Sequence, residues 1–167
     1  KIKLFKLLYL MDFEHFRETG KSVTGMEYQA WKLGPVPMQL VSEWDDLSPD
    51  LADAVQIVPE PVMQYVRERV VVNSGVEFSD LHFTPRQLRI MASLAEKYRE
   101  TTSEKMIDVT HAQNGAWDKV WRSGRGSLQV IPYDLAIPDQ DEHREELIAI
   151  SREQSMRRAA QNLYLEG

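Results

Sequence analysis

The chain contains no cysteine in 167 residues, which excludes disulfides, thiolate chemistry and cysteine-ligated zinc or iron–sulfur sites. A reducing compartment is compatible with this. No apolar run approaches the roughly 20 residues that span a bilayer, and no signal-peptide pattern is visible. The cytoplasm is therefore the default location. The chain opens at Lys1, inside an apolar helix and without an initiator Met, so native residues are expected upstream. Gly34-Pro35-Val36-Pro37 lacks the glycine spacing and the lysine of a phosphate loop, and there is no Gly-x-Ser-x-Gly elbow. Positive charge is also short, with 20 Lys and Arg against 26 Asp and Glu, a net charge of -6 and a pI of about 5.3. Non-specific nucleic-acid binding rests on Lys and Arg neutralising phosphates, so this balance opposes it and favours a basic partner. Neither an internal repeat nor a low-complexity run is present.

What is present suits one ordinary domain over residues 1–167, since 43% hydrophobic and 28% charged residues can bury a single core. The organising stretch is Lys6 to Pro37. Leu4, Leu7, Leu8 and Met11, with Phe5, Tyr9 and Phe16, recur at three- and four-residue intervals, which predicts a first helix with a wide buried face. Asp12, Glu14, His15 and Arg17 lie towards its end, and Gly20 is placed to close it in the left-handed conformation. A Thr24-Gly25 turn leads into an extended, half-buried segment, Tyr28 to Leu33, which Pro35 and Pro37 are expected to stop.

These residues carry a resemblance. Lys6-Leu7-Leu8-Tyr9-Leu10 with Asp12, Gly20 with Thr24-Gly25, Tyr28 with Ala30-Trp31, Gly34-Pro35-Val36, and Thr110-His111 with Trp117 follow one another as in the Panacea domain. The sequence resembles that family of bacterial and phage-borne antitoxins, which includes the SocA-like proteolytic adaptors, over roughly its first three quarters. The resemblance implies an antitoxin that binds a toxin encoded beside it. It marks Leu8, Tyr9, Asp12, Gly25, Gly34, Pro35, Val36, Thr110, His111 and Trp117 as motif residues, which are read as structural.

Further along, Leu40, Val41 and Trp44 share a helical face, and Ser48-Pro49 starts a short helix with Ser48 as N-cap. Val55 to Val58, bounded by Pro59 and Pro61, reads as a short edge strand. Tyr65 to Phe78 is the best hairpin candidate, turning at Asn73-Ser74-Gly75, although Met63 to Arg69 suits a helix equally well. Thr84-Pro85-Arg86-Gln87 forms a capping box, with Phe83 able to staple onto Leu88, and predicts a helix to about Tyr98. Thr101 or Ser103 then caps a helix ending near His111, and Asn114-Gly115 turns the chain into a helix bearing Trp117, Val120 and Trp121. Arg122 to Ser127 is a flexible loop by composition. Ile131 to Tyr133 and Leu135 to Ile137 read as extended, and Asp139 with Glu142 as the capping box of a final helix. Leu147, Ile148, Ile150, Met156, Ala160 and Leu163 form its apolar side, and its early acidic and late basic residues complement the helix dipole.

The chemistry is sparse. Asp12 and His15, one turn apart, could share a metal or a proton, but two candidate ligands do not make a site, and His82, His111 and His143 are dispersed. The pair reads as an exposed or supporting one. His111 reads as a helix C-terminal cap or a hydrogen-bonding core residue. No catalytic, cofactor or metal residue is assigned. The aromatics Tyr28, Trp31, Trp44, Trp117 and Trp121 suit the core, and any that reach the surface are natural interface anchors. Tyr28, Trp31, Lys32 and Trp44 are the candidate partner-binding residues, while Trp31, taken as buried, is expected to damage the fold when replaced by Ala.

The expectation is a mostly helical α+β domain with a small hairpin or short sheet, no cofactor and no membrane contact. It acts as an antitoxin on a cognate toxin protein, and a homo-oligomer is compatible. A proteolytic adaptor delivering the toxin to a AAA+ protease is the alternative. A transcriptional regulator would need a basic recognition helix, and an enzyme a pocket of perturbed ionisable groups.

Overall fold

In the computed structural model the described residues are 1–112 and 115–165, with side chains described as far as residue 160. The protein is an α+β fold, mostly helical, built around its first helix. Helix α1 (Ile2–Thr19) is followed by strands β1 (Tyr28–Trp31) and β2 (Gly34–Pro37), helices α2 (Met38–Ser42) and α3 (Pro49–Ala54), and strands β3 (Val55–Val62) and β4 (Tyr65–Val72). Helices α4 (Pro85–Lys97), α5 (Ser103–Thr110) and α6 (Ala116–Trp121) come next, then two 3-10 turns (Arg122–Gly124 and Tyr133–Ala136) and helix α7 (Arg144–Leu165).

Helix α1 is central because its apolar residues point in several directions. Tyr9 and Phe13 pack with Tyr28, Ala30, Trp117 and Ile131; Met11 packs with Ile90, Leu94, Tyr98 and Met106; Phe5 packs with Val36 and Trp44; and Phe16 packs with Ile137 and Leu147. A helix that is apolar nearly all round is a buried helix. Each such side chain, removed from water, stabilises by about 1.5–3 kcal/mol. Gly20 ends α1 with φ of 69°, and its N–H donates to the Phe16 carbonyl.

The two sheets are hairpins, each differing from the expectation in the same way. Tyr28 to Leu33 is not one extended segment: Lys32-Leu33 form a tight turn, and the segment from Gly34 to Pro37, expected to stop the strand, pairs back on Tyr28 to Trp31. In an antiparallel ladder only alternate residues turn their N–H towards the partner. Trp31 and Gly34 flank the turn as a bonded pair, so Pro35 and Pro37 fall between bonded positions and no ladder bond is lost. The other edge of β1 is occupied too, since Ala30 and Tyr28 exchange backbone bonds with residues 128–131.

The second hairpin is displaced from the expected turn. Strand β3 runs through Pro59 and Pro61 to Val62 and pairs with β4 across Met63-Gln64, while Asn73-Ser74-Gly75 turns the chain without a following strand. Met63 takes the left-handed conformation that the turn demands, φ 49°, with none of the Asn or Gly that announces it in a sequence. The Asn73 side-chain amide instead donates to the Ala52 and Asp53 carbonyls at the end of α3.

The capping box is as expected: Thr84 accepts from Gln87 N–H and the Gln87 side chain accepts from Thr84 N–H. Thr102 caps α5, one residue from either expected candidate. The Asn114 turn lies outside the described residues, and α6 starts after Gly115. Residues 133–136 coil into a 3-10 turn rather than extend, so of the two segments expected to be extended Ile131 is the residue that bonds the β1 edge, beside Leu128 and Gln129. Helix α7 begins at Arg144, not at Asp139: Asp141 accepts from the His143 N–H, and the Arg144 guanidinium donates to the Asp134 and Ile137 carbonyls. Met156, expected on its apolar side, is exposed.

Candidate functional site

Two buried polar centres lie along α1, and the motif segments meet at them. At the first, Asp12 is fully buried. Its carboxylate accepts from the backbone N–H groups of Val23 and Thr24, both at 2.8 Å, from the Thr24 hydroxyl, and from the Tyr28 hydroxyl at 2.8 Å. The Tyr133 hydroxyl donates to the Met26 carbonyl at 2.6 Å and lies 3.4 Å from the same carboxylate. A buried charge is tolerated when several donors converge on it. Here they tie the Lys21–Glu27 loop, β1 and the Tyr133 turn to one helix position. Burial raises the Tyr28 and Tyr133 phenols well above their usual range, and the Asp12 charge adds to both.

His15 does not share this site. It is also buried rather than exposed, but its Nδ1 lies 2.6 Å from the Lys21 carbonyl, beside Thr19, so His15 meets the start of the loop while Asp12 holds its middle. Gly25 follows Thr24 with φ of +74°.

The second centre surrounds Lys6, which is 2% exposed. Its ammonium donates to the Pro35 carbonyl at 2.9 Å, and burial depresses it to about 8. Gly34 has φ of +100°, and a Cβ there would lie 2.8 Å from Lys6 Nζ and 2.9 Å from Thr110 Oγ1. Gly34 is thus a close-approach position joining α1, β2 and α5. Thr110 is buried, with its hydroxyl directed at the Ile107 and Met106 carbonyls.

His111 closes α5 as its C-cap and stacks on Trp117, ring centroids 3.7 Å apart and nearly parallel. Its Nε2 is buried with no hydrogen-bond partner among the described residues. Burial and the nearby Lys6 charge hold His111 below the ordinary imidazole value, against the opposing pull of Asp108 and Asp118. Trp117 Nε1 donates to the Trp31 carbonyl at 3.1 Å, and the Trp117 N–H donates to the Tyr9 hydroxyl at 3.2 Å.

The sequence-predicted residues therefore separate. Asp12, Tyr28 and Gly25 gather at the first centre, and Gly34, Pro35, Thr110, His111, Trp117 and Tyr9 at the second, with Leu8 and Val36 packed beside the adjoining core clusters. Tyr28 and Trp44 are buried, so neither ring is free for a partner, whereas Trp31 is 37% exposed and Lys32 is exposed. The expected burial of Trp31 is overturned, although its backbone carbonyl accepts from Trp117 Nε1. Lys6 enters the sequence reading only as the first residue of the Lys6–Leu10 motif and Tyr133 only as part of an extended segment, and neither is given a site role there. A lysine one turn before Tyr9, inside the apolar face, was the available signal for the first; Tyr133 had none, since its partner is 121 positions away.

Among the described residues no group of three or more His, Cys, Asp and Glu could hold a metal, and no helix is long and apolar enough to cross a membrane. A groove of about 700 Å³ lies between the C-terminal end of α1, the start of α4 and the middle of α7, its lining including His15, Lys21, Arg86, Glu153 and Arg157 but neither Lys6 nor His111.

This arrangement is that of a helical scaffold in which the buried polar side chains of Asp12 and Lys6 join separate segments. The chain belongs to the SocA-like Panacea antitoxin family: the family model described as "Antitoxin SocA-like, Panacea domain" matches residues 4–118, which include α1 through Trp117. No curated protein and no solved structure matches the chain.

Proposed function

We propose that this protein is an antitoxin that neutralises a cognate toxin by direct, stoichiometric protein–protein binding, without catalysis and without a cofactor. Membership of the antitoxin family is the observation that carries this reading. The internal use of the motif residues agrees with it: Asp12, Lys6 and Trp117 are engaged in holding segments together, which supplies the rigid frame a specific binding face requires. Trp31 and Lys32, on the turn of the first hairpin, are the accessible members of the expected partner-binding set.

The test is co-expression with the product of the adjacent reading frame, followed by co-purification and by growth rescue in cells lacking their AAA+ proteases. A co-eluting complex and rescue without those proteases are the expected results. Rescue that vanishes in the protease-deficient cells makes the protein an adaptor instead, and the absence of any complex removes both readings.

A further inference from the structure

The first hairpin has an outer face as well as a buried one. Gln29 of β1 stands opposite Val130, and backbone bonds flank the pair: the Ala30 N–H donates to the Gln129 carbonyl and the Ile131 N–H to the Tyr28 carbonyl. Such a pair carries both side chains on the same side of the sheet. Trp31, two positions on, points the same way, and its Nε1 donates to Gln29 Oε1 at 3.4 Å. Tyr28, Ala30 and Ile131 point into the core and are buried. Besides Trp31, the outer side shows water Leu33 at the turn and Leu128 and Val130 on the covering segment, which are 52%, 59% and 45% exposed.

The charge carried by these same segments is of one sign. Residues 28–42 and 119–133, which bond each other here, hold Lys32, Lys119, Arg122 and Arg125 and no Asp or Glu. Lys119 turns to the Leu135 carbonyl, whereas Lys32, Arg122 and Arg125 form no ion pair among the described residues. The two arginines line a depression of about 200 Å³ together with Gly126 and Gln129. Gln129 ties that depression to the outer face, because its carbonyl bonds β1 and its chain neighbours are Leu128 and Val130. Arg122 is held through Nε on the Lys119 carbonyl at 3.1 Å and Arg125 on the Arg122 carbonyl at 3.4 Å, so their terminal amines remain for a ligand. The backbone between them is fixed in a costly form. Arg122, Ser123 and Leu128 are left-handed, with φ of 45°, 57° and 63°, held by bonds from the Gly126 N–H to the Trp121 carbonyl and from the Leu128 N–H to the Ala30 carbonyl. A face fixed in this way spends little entropy when a partner binds.

We infer that the outer face of the first hairpin, with Leu128, Val130 and the Arg122–Arg125 depression, docks an apolar patch of the cognate toxin edged by carboxylates, which the two arginines receive. This rests on the toxin-binding reading and names the face and the chemistry it uses. The net charge of the whole chain favours a basic partner, but the charges that meet across a contact decide its register, and here they are cationic. A basic surface would set like charges against Lys32, Arg122 and Arg125. A nucleic acid would meet the same cations but also the repulsion of a chain that is acidic overall. Trp31 and Leu128 set the lifetime of the complex, and the cations set the association rate and the orientation.

The experiment titrates the purified full chain against the purified product of the adjacent reading frame. Trp31→Ala/Leu128→Asn, which alters exposed side chains and keeps a residue tolerant of the left-handed form at 128, stays folded and loses at least about 30-fold in affinity through faster dissociation. Arg122→Gln/Arg125→Gln slows association by roughly 10-fold at low salt, and the gap from wild type closes as salt is raised. Lys32→Glu, on the exposed turn, changes association in the same direction without touching the arginine loop. Full affinity in the folded Trp31→Ala/Leu128→Asn variant overturns the inference while leaving toxin binding intact. So does tighter binding by Lys32→Glu, which makes the contacting patch basic, and so does a loss confined to Met63→Ser/Tyr65→Ser, which moves the face to the second hairpin. A wild-type dimer that Trp31→Ala/Leu128→Asn converts to a monomer with toxin binding retained assigns the face to a second copy and overturns it. Tight binding of a DNA or RNA duplex that Arg122→Gln/Arg125→Gln abolishes, with toxin binding retained, overturns it as well. If the wild-type chain binds nothing, the toxin-binding reading itself fails and this inference with it.

Discussion

The two hairpins are built alike and end differently. Each is a pair of antiparallel strands joined by a two-residue turn, and each carries two prolines two positions apart, Pro35 and Pro37 in β2 and Pro59 and Pro61 in β3. In both, register turns the missing N–H out of the ladder. Yet β2 is buried along its whole length, with Lys6 donating to its outward Pro35 carbonyl and α1 across it, while residues 128–131 cover the far edge of β1. The distal half of the second hairpin instead leaves Met63, Tyr65 and Val66 exposed. Local construction therefore sets the pairing, and the neighbours decide whether a hairpin becomes core or surface.

Substitutions around the first hairpin should sharpen this contrast most. Trp117→Ala removes a buried indole that stacks on His111 and Trp121 and bonds the Trp31 carbonyl. The expected loss is about 3–5 kcal/mol, or roughly 10 °C in melting temperature for a chain of this size. Thermal denaturation checks it, and an unchanged melting temperature would mean that the hairpin does not depend on α6.

Gly34→Ala comes next. A left-handed alanine costs about 1–2 kcal/mol, and its Cβ would also collide with Lys6 Nζ and Thr110 Oγ1, so a loss above about 2 kcal/mol is expected in chemical denaturation. The matching change at Gly75, whose surroundings are open, should show only the backbone cost.

Lys6 supplies a pH test. Its folded pKa of about 8 lies below the ordinary value of 10.5, so the cost of holding the charge in the core is fully present below pH 8. Between those values the unfolded chain binds more protons than the folded one, and stability rises with pH. Compared with Lys6→Met, which lacks this titration, the wild type should gain stability from pH 8 to 10.5, by at most about 3 kcal/mol. Denaturation of both proteins across that range reads the difference; a gap independent of pH would mean that Lys6 titrates normally.

The smallest effect is expected at Trp31. Because its ring is partly in water and its carbonyl remains available to Trp117, Trp31→Ala should cost no more than about 1 kcal/mol. A loss as large as that of Trp117→Ala would return Trp31 to the core and erase the boundary between the two faces of the first hairpin.

The amino-acid sequence by itself determined the features whose partners lie within a few residues. Gly20 closes α1 and the Thr84–Gln87 box opens α4 because donor and acceptor are neighbours along the chain, and the periodicity of α1 follows from side chains one turn apart. The family motifs were likewise visible as strings of residues. Only the tertiary structure decided which of those residues meet. Trp117 reaches Trp31 across 86 positions and Tyr9 across 108, Tyr133 arrives beside Asp12 from 121 positions away, and Lys6 is buried because β2 folds over it. The pairing of β3 with β4 was hidden for a related reason. Proline reads as a strand breaker until the register shows that its missing N–H faces away from the partner, and register is set by where the two strands meet, not by the residues of either one.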